Sequence, residues 1–332
     1  MEKILNKKKE FTFIDLFAGI GGMRLAFQRA GGRCVFSSEI DKYAKKTYNE
    51  NFNDIPYGDI KDIHESNIPD HDILLGGFPC QPFSLAGTSA RRHHGGKEGF
   101  ADVTRGTLFF DIVRIIKKKE PKAFLLENVK NLKGHDKGKT YKVIMKILRE
   151  ELGYDVHDEV IDASSFVPQH RERIFIVGFR KPMQFDFPKL QKKRPKLGQI
   201  LQTRVQKKYT LLNGTWNSLQ RHAARHKAQE NGFGYSLASR DGRANTLSAR
   251  YHKDGAEILI DQNHLGRNPR RLTPRECARL MGFPDRYKIP VSDSQAYRQF
   301  GNSVVVPVVE SIAKILVKTI KENKTRKTIL DY

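Results

Sequence analysis

Cys80 has the strongest claim to chemistry in this 332-residue chain. It lies in Gly76-Gly77-Phe78-Pro79-Cys80-Gln81-Pro82-Phe83-Ser84, directly after the apolar run Asp72–Leu75, and flanking prolines hold its loop stiffly on display. Most lone cysteines are inert core residues, and Cys34 within a strand and Cys277 on a helix fit that description. A cysteine displayed at the end of a strand reads instead as a nucleophile. Two more reactive groups sit at comparable points. Leu125-Leu126-Glu127-Asn128-Val129 closes an apolar run with a carboxylate, and Gln169-His170-Arg171-Glu172-Arg173 opens another with two alternating guanidiniums. A carboxylate raises the pKa of a nearby thiol, so Glu127 suits work on a substrate better than activation of Cys80. The plainer alternatives are a Glu127 paired with Lys130 or Lys133, and a solvated basic run at Arg171 and Arg173.

A glycine turn supplies a third set. Phe17-Ala18-Gly19-Ile20-Gly21-Gly22 ends the first apolar run and opens a helix, the place where a doubly wound sheet binds ligands. Glu39, at the end of the second strand, suits ribose hydroxyls, and Asp59 in Gly58-Asp59-Ile60 suits an adenine amino group. The dinucleotide pattern G-x-G-x-x-G fails because Arg24 stands where the third glycine belongs, and no G-x-x-x-x-G-K-[ST] occurs in the turn. An adenosine cofactor without a pyrophosphate fits better than a nicotinamide dinucleotide or ATP, and S-adenosylmethionine is such a cofactor. His222 and His226 share a helical face, but Ala223 stands where a zinc protease has Glu and no C-x-x-C is present. No metal is expected.

The elements that must position these groups alternate between strand and helix over the first 180 residues. Strands are expected at Phe11–Phe17, Cys34–Ser38, Asp72–Leu75, Ala123–Leu126 and Arg173–Gly178. Helices are expected at Gly22–Ala30, Asp41–Asn49, Leu108–Lys117 and Tyr141–Glu151. The fold class is therefore α/β, a doubly wound, mostly parallel sheet covered on both faces. Beyond Lys181 the pattern breaks into Pro- and Lys-rich segments. Order returns at Thr273–Met281, with Thr273 as N-cap and Pro274 at the first helical position, and in an apolar-periodic helix from about Pro307. The expected division is a catalytic and cofactor-binding domain, 1–184 plus 292–332, and a small, irregular, basic domain, 185–291.

Charge points to the partner. The chain carries +23 overall, and Phe185–Val291 alone holds 22 Lys and Arg against 8 Asp and Glu, mixed with aromatics. That combination suits a phosphate backbone. Three cysteines make no disulfide framework, and no run approaches the roughly 18 apolar residues of a membrane span. A reduced, cytoplasmic protein is expected.

In this order, these residues resemble the DNA (cytosine-5) methyltransferase family. Phe13-Ile14-Asp15-Leu16-Phe17-Ala18-Gly19 is similar to its cofactor motif and Gly77-Phe78-Pro79-Cys80-Gln81 to its nucleophile loop. Glu127-Asn128-Val129 and Gln169–Arg173 match two further catalytic blocks. Arg271–Glu276 and Gln299-Phe300-Gly301-Asn302-Ser303 match the C-terminal ones. The resemblance implies Cys80 as nucleophile, Glu127 on N3 of cytosine, and Arg173 on the flipped base, with Gln169 and Arg171 in support. It implies Phe17 on the adenine, Glu39 on the ribose, Asp59 on the adenine amino group and Asn302 near the methionine part. Gly19, Gly21, Pro79 and Leu108 complete the cofactor set. Ile40 follows Glu39 where relatives often carry an aromatic. Ser84, Arg91 and Arg92, in a basic loop, would close over DNA.

The implied chemistry is coherent. Thiolate addition at C6, with Glu127 at N3, turns the ring into an enamine whose C5 takes a methyl group. Loss of the C5 proton then releases Cys80, and the base must first leave the duplex. The segment from about Lys189 to Arg267 resembles a target-recognition region for C-rich palindromes such as CCWGG, CCNGG or CCGG. Arg240, Arg243 and Arg250 are candidates for guanine edges, with phosphate contact the equal alternative. A bacterial monomer is implied, acting on duplex DNA and at most sharing its site with a restriction endonuclease it does not touch. Structured RNA as substrate, and a silent nucleic-acid-binding module, remain open readings.

Overall fold

The computed structural model describes residues 11–78, 108–189, 194–230, 234–253 and 255–330. Cys80, Pro79, Ser84, Arg91 and Arg92 lie outside them. Six strands form the main sheet: β1 (Phe11–Leu16), β2 (Gly32–Ser38), β3 (Ile73–Gly77), β4 (Ala123–Val129), β5 (Asp155–Asp162) and β6 (Glu172–Phe179), in the order β2-β1-β3-β4-β6-β5. The first four pair in parallel, as expected for near-continuous apolar runs buried on both faces. β6 runs antiparallel between β4 and β5. Sequence analysis anticipated neither that reversal nor β5, whose Asp155, Asp158, Glu159 and Asp162 interrupt its apolar pattern at the sheet's edge.

Alternation along each strand sorts side chains onto two faces. Phe13, Leu75, Leu125 and Val177 join one buried cluster with α1 (Gly22–Arg29) and α8 (Val306–Leu330). Ile14, Leu74, Phe124 and Ile176 join the other with α3 (Leu108–Lys119) and α4 (Lys139–Lys146). Helix α2 (Lys42–Phe52) begins on an Asp41 N-cap that accepts from Tyr43 N and Ala44 N.

The first cluster does not stop at the sheet. It runs on through Leu197, Tyr251, Ile258 and Leu272 into α6 (Pro274–Leu280) and α7 (Asp293–Asn302). Short strands β7 (Leu237–Ala238), β8 (Leu259–Ile260) and β9 (Arg270–Arg271) make a second small sheet. Helix α5 (Asn213–Ala228) differs from the rest in having no buried residue. Helix α6 starts as expected, with a Thr273–Glu276 capping box and Pro274 in its first turn. Glu276 is fully buried and also takes both guanidinium nitrogens of Arg270, at 2.8 and 2.9 Å. Among the described residues no helix is long and apolar enough to cross a membrane.

Candidate active site

Parallel strands deliver their carboxyl ends to one edge, and there a cleft of about 400 Å³ opens. Phe17, Gly19, Glu39, Gly77, Phe78, Glu127 and Asn128 line it from β1 to β4. Asn302 and its neighbours in α7 close the far side. The turn after β1 is sharp: Phe17, Gly19 and Gly21 all have φ between 55° and 77°, the left-handed region that glycine enters freely. Gly19 N donates to Glu39 Oε2 at 2.7 Å, which fixes the carboxylate at the mouth of the turn. A Cβ on Gly21 would come within 2.3 Å of the Phe52 ring.

Arg24, the residue that breaks the dinucleotide pattern, is buried. Its Nη1 donates to the Tyr48 hydroxyl at 3.0 Å and to Asp54 at 2.5 Å, and its guanidinium lies 4.6 Å from the Phe52 ring centre. A cation therefore locks α1 onto α2 where a pyrophosphate binder has its third glycine.

The reversal of β6 explains how Arg173 reaches the same edge. Val129 at the end of β4 pairs with Arg173 at the beginning of β6. Arg173 Nε lies 3.1 Å from Glu127 Oε1. Burial pushes the Glu127 carboxyl above its ordinary value, opposed by Arg173 and Arg171. Lys130 pairs with Glu172 and Lys133 with Asp158, so the plain lysine pairing of Glu127 is not what forms.

The two arginines part company. Arg171 is 2% exposed, and its nitrogens donate to the carbonyls of Leu247 (2.8 Å), Gly301 (2.9 Å) and Ser303 (2.7 Å). Burial and the neighbouring Arg173 push it down to about 9. Arg171 borders the cleft as Arg173 does, yet its Nη1 and Nη2 bond to backbone and its Nε has no partner. Gln169 is fully buried, and its Oε1 accepts from Leu247 N at 2.7 Å.

The other cofactor candidates lie outside the cleft's lining. Ile40 is 69% exposed beside Glu39. Asp59 is half-buried and accepts from Lys61 N at 3.0 Å. Gly21 caps α1, and Leu108 opens α3. Arg240 and Arg250 are exposed and Arg243 half-buried. Cys34 is half-buried and Cys277 buried. Burial pushes the first thiol up to about 12 and the second well up, so both stay protonated and unreactive. His222 and His226 sit on α5 with their Nε2 atoms 3.0 Å apart.

Three cleft residues lie in the matched blocks but were given no role of their own by sequence analysis. Asn128 Nδ2 donates to Phe78 O at 2.9 Å, anchoring the stem of the loop that carries Cys80. Asp15 is 1% exposed, with one oxygen lacking any partner, and burial raises it to about 8. Gln299 is buried, accepts from Thr47 Oγ1, and leaves its Nε2 unpartnered. Asp15 also carried a local signal, as an acid inside an apolar strand.

Residues 11–318 match the family model for C-5 cytosine-specific DNA methylase. The chain belongs to that family. It is 54% identical over 326 residues to the Type II methyltransferase M1.ScrFI of Lactococcus lactis subsp. cremoris, covering 96% of this chain and 81% of the relative. It is 47% identical to the Type II methyltransferase M.HpaII of Haemophilus parainfluenzae, with 93% and 90% covered. The crystal structure of S. pombe Dnmt2 methyltransferase superposes with a TM-score of 0.74 at 20% identity, covering 93% of this chain and 99% of that one. The fold of this cytosine methylase is thus shared with distant relatives, and its activity class, DNA (cytosine-5-)-methyltransferase, with close ones.

Proposed function

We propose that this enzyme methylates C5 of a flipped cytosine in a short duplex DNA sequence, through a transient bond between Cys80 and C6. The observation that carries the reading is the Glu127–Arg173 pair, set on the edge that also bears the glycine turn, Glu39 and the stem of the Cys80 loop. Glu127, raised by burial, is suited to hold a proton at N3 of cytosine. Arg173 keeps that carboxyl oriented. The Cys80 thiolate adds to C6, C5 gains a methyl group and loses its proton, and elimination frees the sulfur.

S-adenosylmethionine, when bound, supplies that methyl as an electrophile. The cleft fits it. Asp15, which a bound cation would induce to give up its proton, offers a buried oxygen without a partner and Gln299 a buried, unpartnered donor, matching the ammonium and carboxylate of an amino acid. Phe17 and Ile40 would cover the adenine, Glu39 and Gly19 hold the ribose, Asp59 meet the adenine amino group, and Asn302 approach the methionine end. Gly21 would hold the turn beneath the cofactor, and Pro79 and Leu108 would stand at its border.

The basic stretch 185–291, with Arg240, Arg243 and Arg250, would read a C-rich palindrome such as CCNGG, CCWGG or CCGG, and Ser84, Arg91 and Arg92 would close the loop over it. The enzyme would work as a monomer in a bacterial cytoplasm, beside a restriction endonuclease it does not touch. Duplex DNA containing 5-fluorocytosine in each of the three sites tests the mechanism, because fluorine at C5 blocks elimination. With S-adenosylmethionine present, the wild-type chain should form an adduct stable to denaturation, and Cys80→Ala none. An adduct with tRNA and not DNA, or methylation by Cys80→Ala near the wild-type rate, would refute it.

A further inference from the structure

We infer that Gln169 and Arg171 are positioning residues that couple the DNA-reading segment to the cofactor wall, so that each ligand tightens the other; this rests on the reading above. Leu247 is fully buried, and both its peptide groups are held: its N–H by Gln169 Oε1 and its carbonyl by Arg171. The same guanidinium donates to Gly301 and Ser303, the two neighbours of cleft-lining Asn302. One rigid, planar group therefore sets the spacing between Leu247 and Asn302.

Two further observations make the linkage stiff. Residues 168–170 pair with Ala244 in strand fashion, through Ala244 N to Pro168 O and His170 N to Ala244 O. Gly301 packs directly on the reading segment, where an added Cβ would lie 2.3 Å from Ser248 O. Buried donors are costly to leave unmade, so Leu247 cannot move without releasing or carrying residues 301–303. The segment held in this way runs between Arg243 and Arg250, and Arg173, two residues past the bracket, holds Glu127. DNA that draws residues 244–250 into one arrangement would thus favour one arrangement of the cofactor wall, and linkage makes the effect reciprocal.

The test is a calorimetric titration of S-adenosylhomocysteine with and without a duplex carrying the site that the wild-type chain methylates. The duplex should tighten binding at least about fivefold in wild type, and by less than about twofold in Arg171→Lys. Hydrogen exchange on the wild-type chain gives a second readout that needs no variant. S-adenosylhomocysteine alone should slow the amides of residues 244–249, which a merely structural Arg171 would not produce. Full tightening retained in Arg171→Lys, or unchanged exchange at 244–249, overturns the inference. If the wild-type chain methylates no DNA, the functional reading fails, while the exchange experiment still decides the coupling.

Discussion

Asp15 offers a stability test whose size follows from its surroundings. Its carboxyl is 1% exposed at the end of β1, and burial outweighs the nearby Arg24 to raise it from 3.8 to about 8. The folded protein therefore keeps this proton over a range where the unfolded chain has lost it. The sign follows: stability from this source is complete below about pH 4, declines as pH rises, and levels off above about pH 8. Between pH 6 and pH 8 the decline is about 2 kcal/mol, at about 1.4 kcal/mol per unit less the part already titrated near pH 8. Asp15→Asn keeps the shape of the neutral acid and does not titrate. Urea unfolding of both proteins at the two pH values isolates the group, since residues that titrate alike in each cancel. The variant should gain about 2 kcal/mol on the wild type between pH 6 and pH 8. An unchanged difference would mean that Asp15 is already ionised in the fold, and the reasoning would fail.

Other expectations follow from the same geometry. Glu127→Gln removes the proton-holding group, so methyl transfer should fall by about 10²- to 10⁴-fold in single-turnover assays, with S-adenosylhomocysteine affinity little changed. Glu276→Ala strands the buried Arg270 guanidinium and should cost about 3–5 kcal/mol in denaturant unfolding. Alanine at Arg240, Arg243 or Arg250 separates reading from anchoring. A base reader should lose discrimination between cognate and scrambled duplexes by about 1–3 kcal/mol, while a phosphate contact should weaken both alike and lower the salt slope by about one.

Much of the frame was legible because its signals are local. Apolar runs fixed β1 to β4, the glycines fixed the turn, and Thr273-Pro274 fixed the start of α6. The elements that escaped depend on distant partners. β5 has too many acids for a buried run, and nothing local tells a strand such as β6 which way to enter a sheet. Arg171 shows the same limit at the level of one side chain. It alternates with Arg173 along the sequence, yet its partners lie 76 to 132 residues further along the chain. Glu127 escaped its plain lysine pairing for a similar reason, since the reversed strand brought Arg173 closer than either lysine. The residues around Cys80 carried the clearest motif but lie outside the described structure.

Strand-fashion pairing at Ala244, the clamp on Leu247 and the close approach of Gly301 to Ser248 share one property: each grips main-chain atoms. Exposed side chains along this stretch are therefore free to diversify while the spine stays put. A chimera that imports another enzyme's target preference should keep residues 244–249 in register and vary only what projects from them. Swaps that shift the spine by one position would misplace the gripped peptides and forfeit turnover along with the new preference.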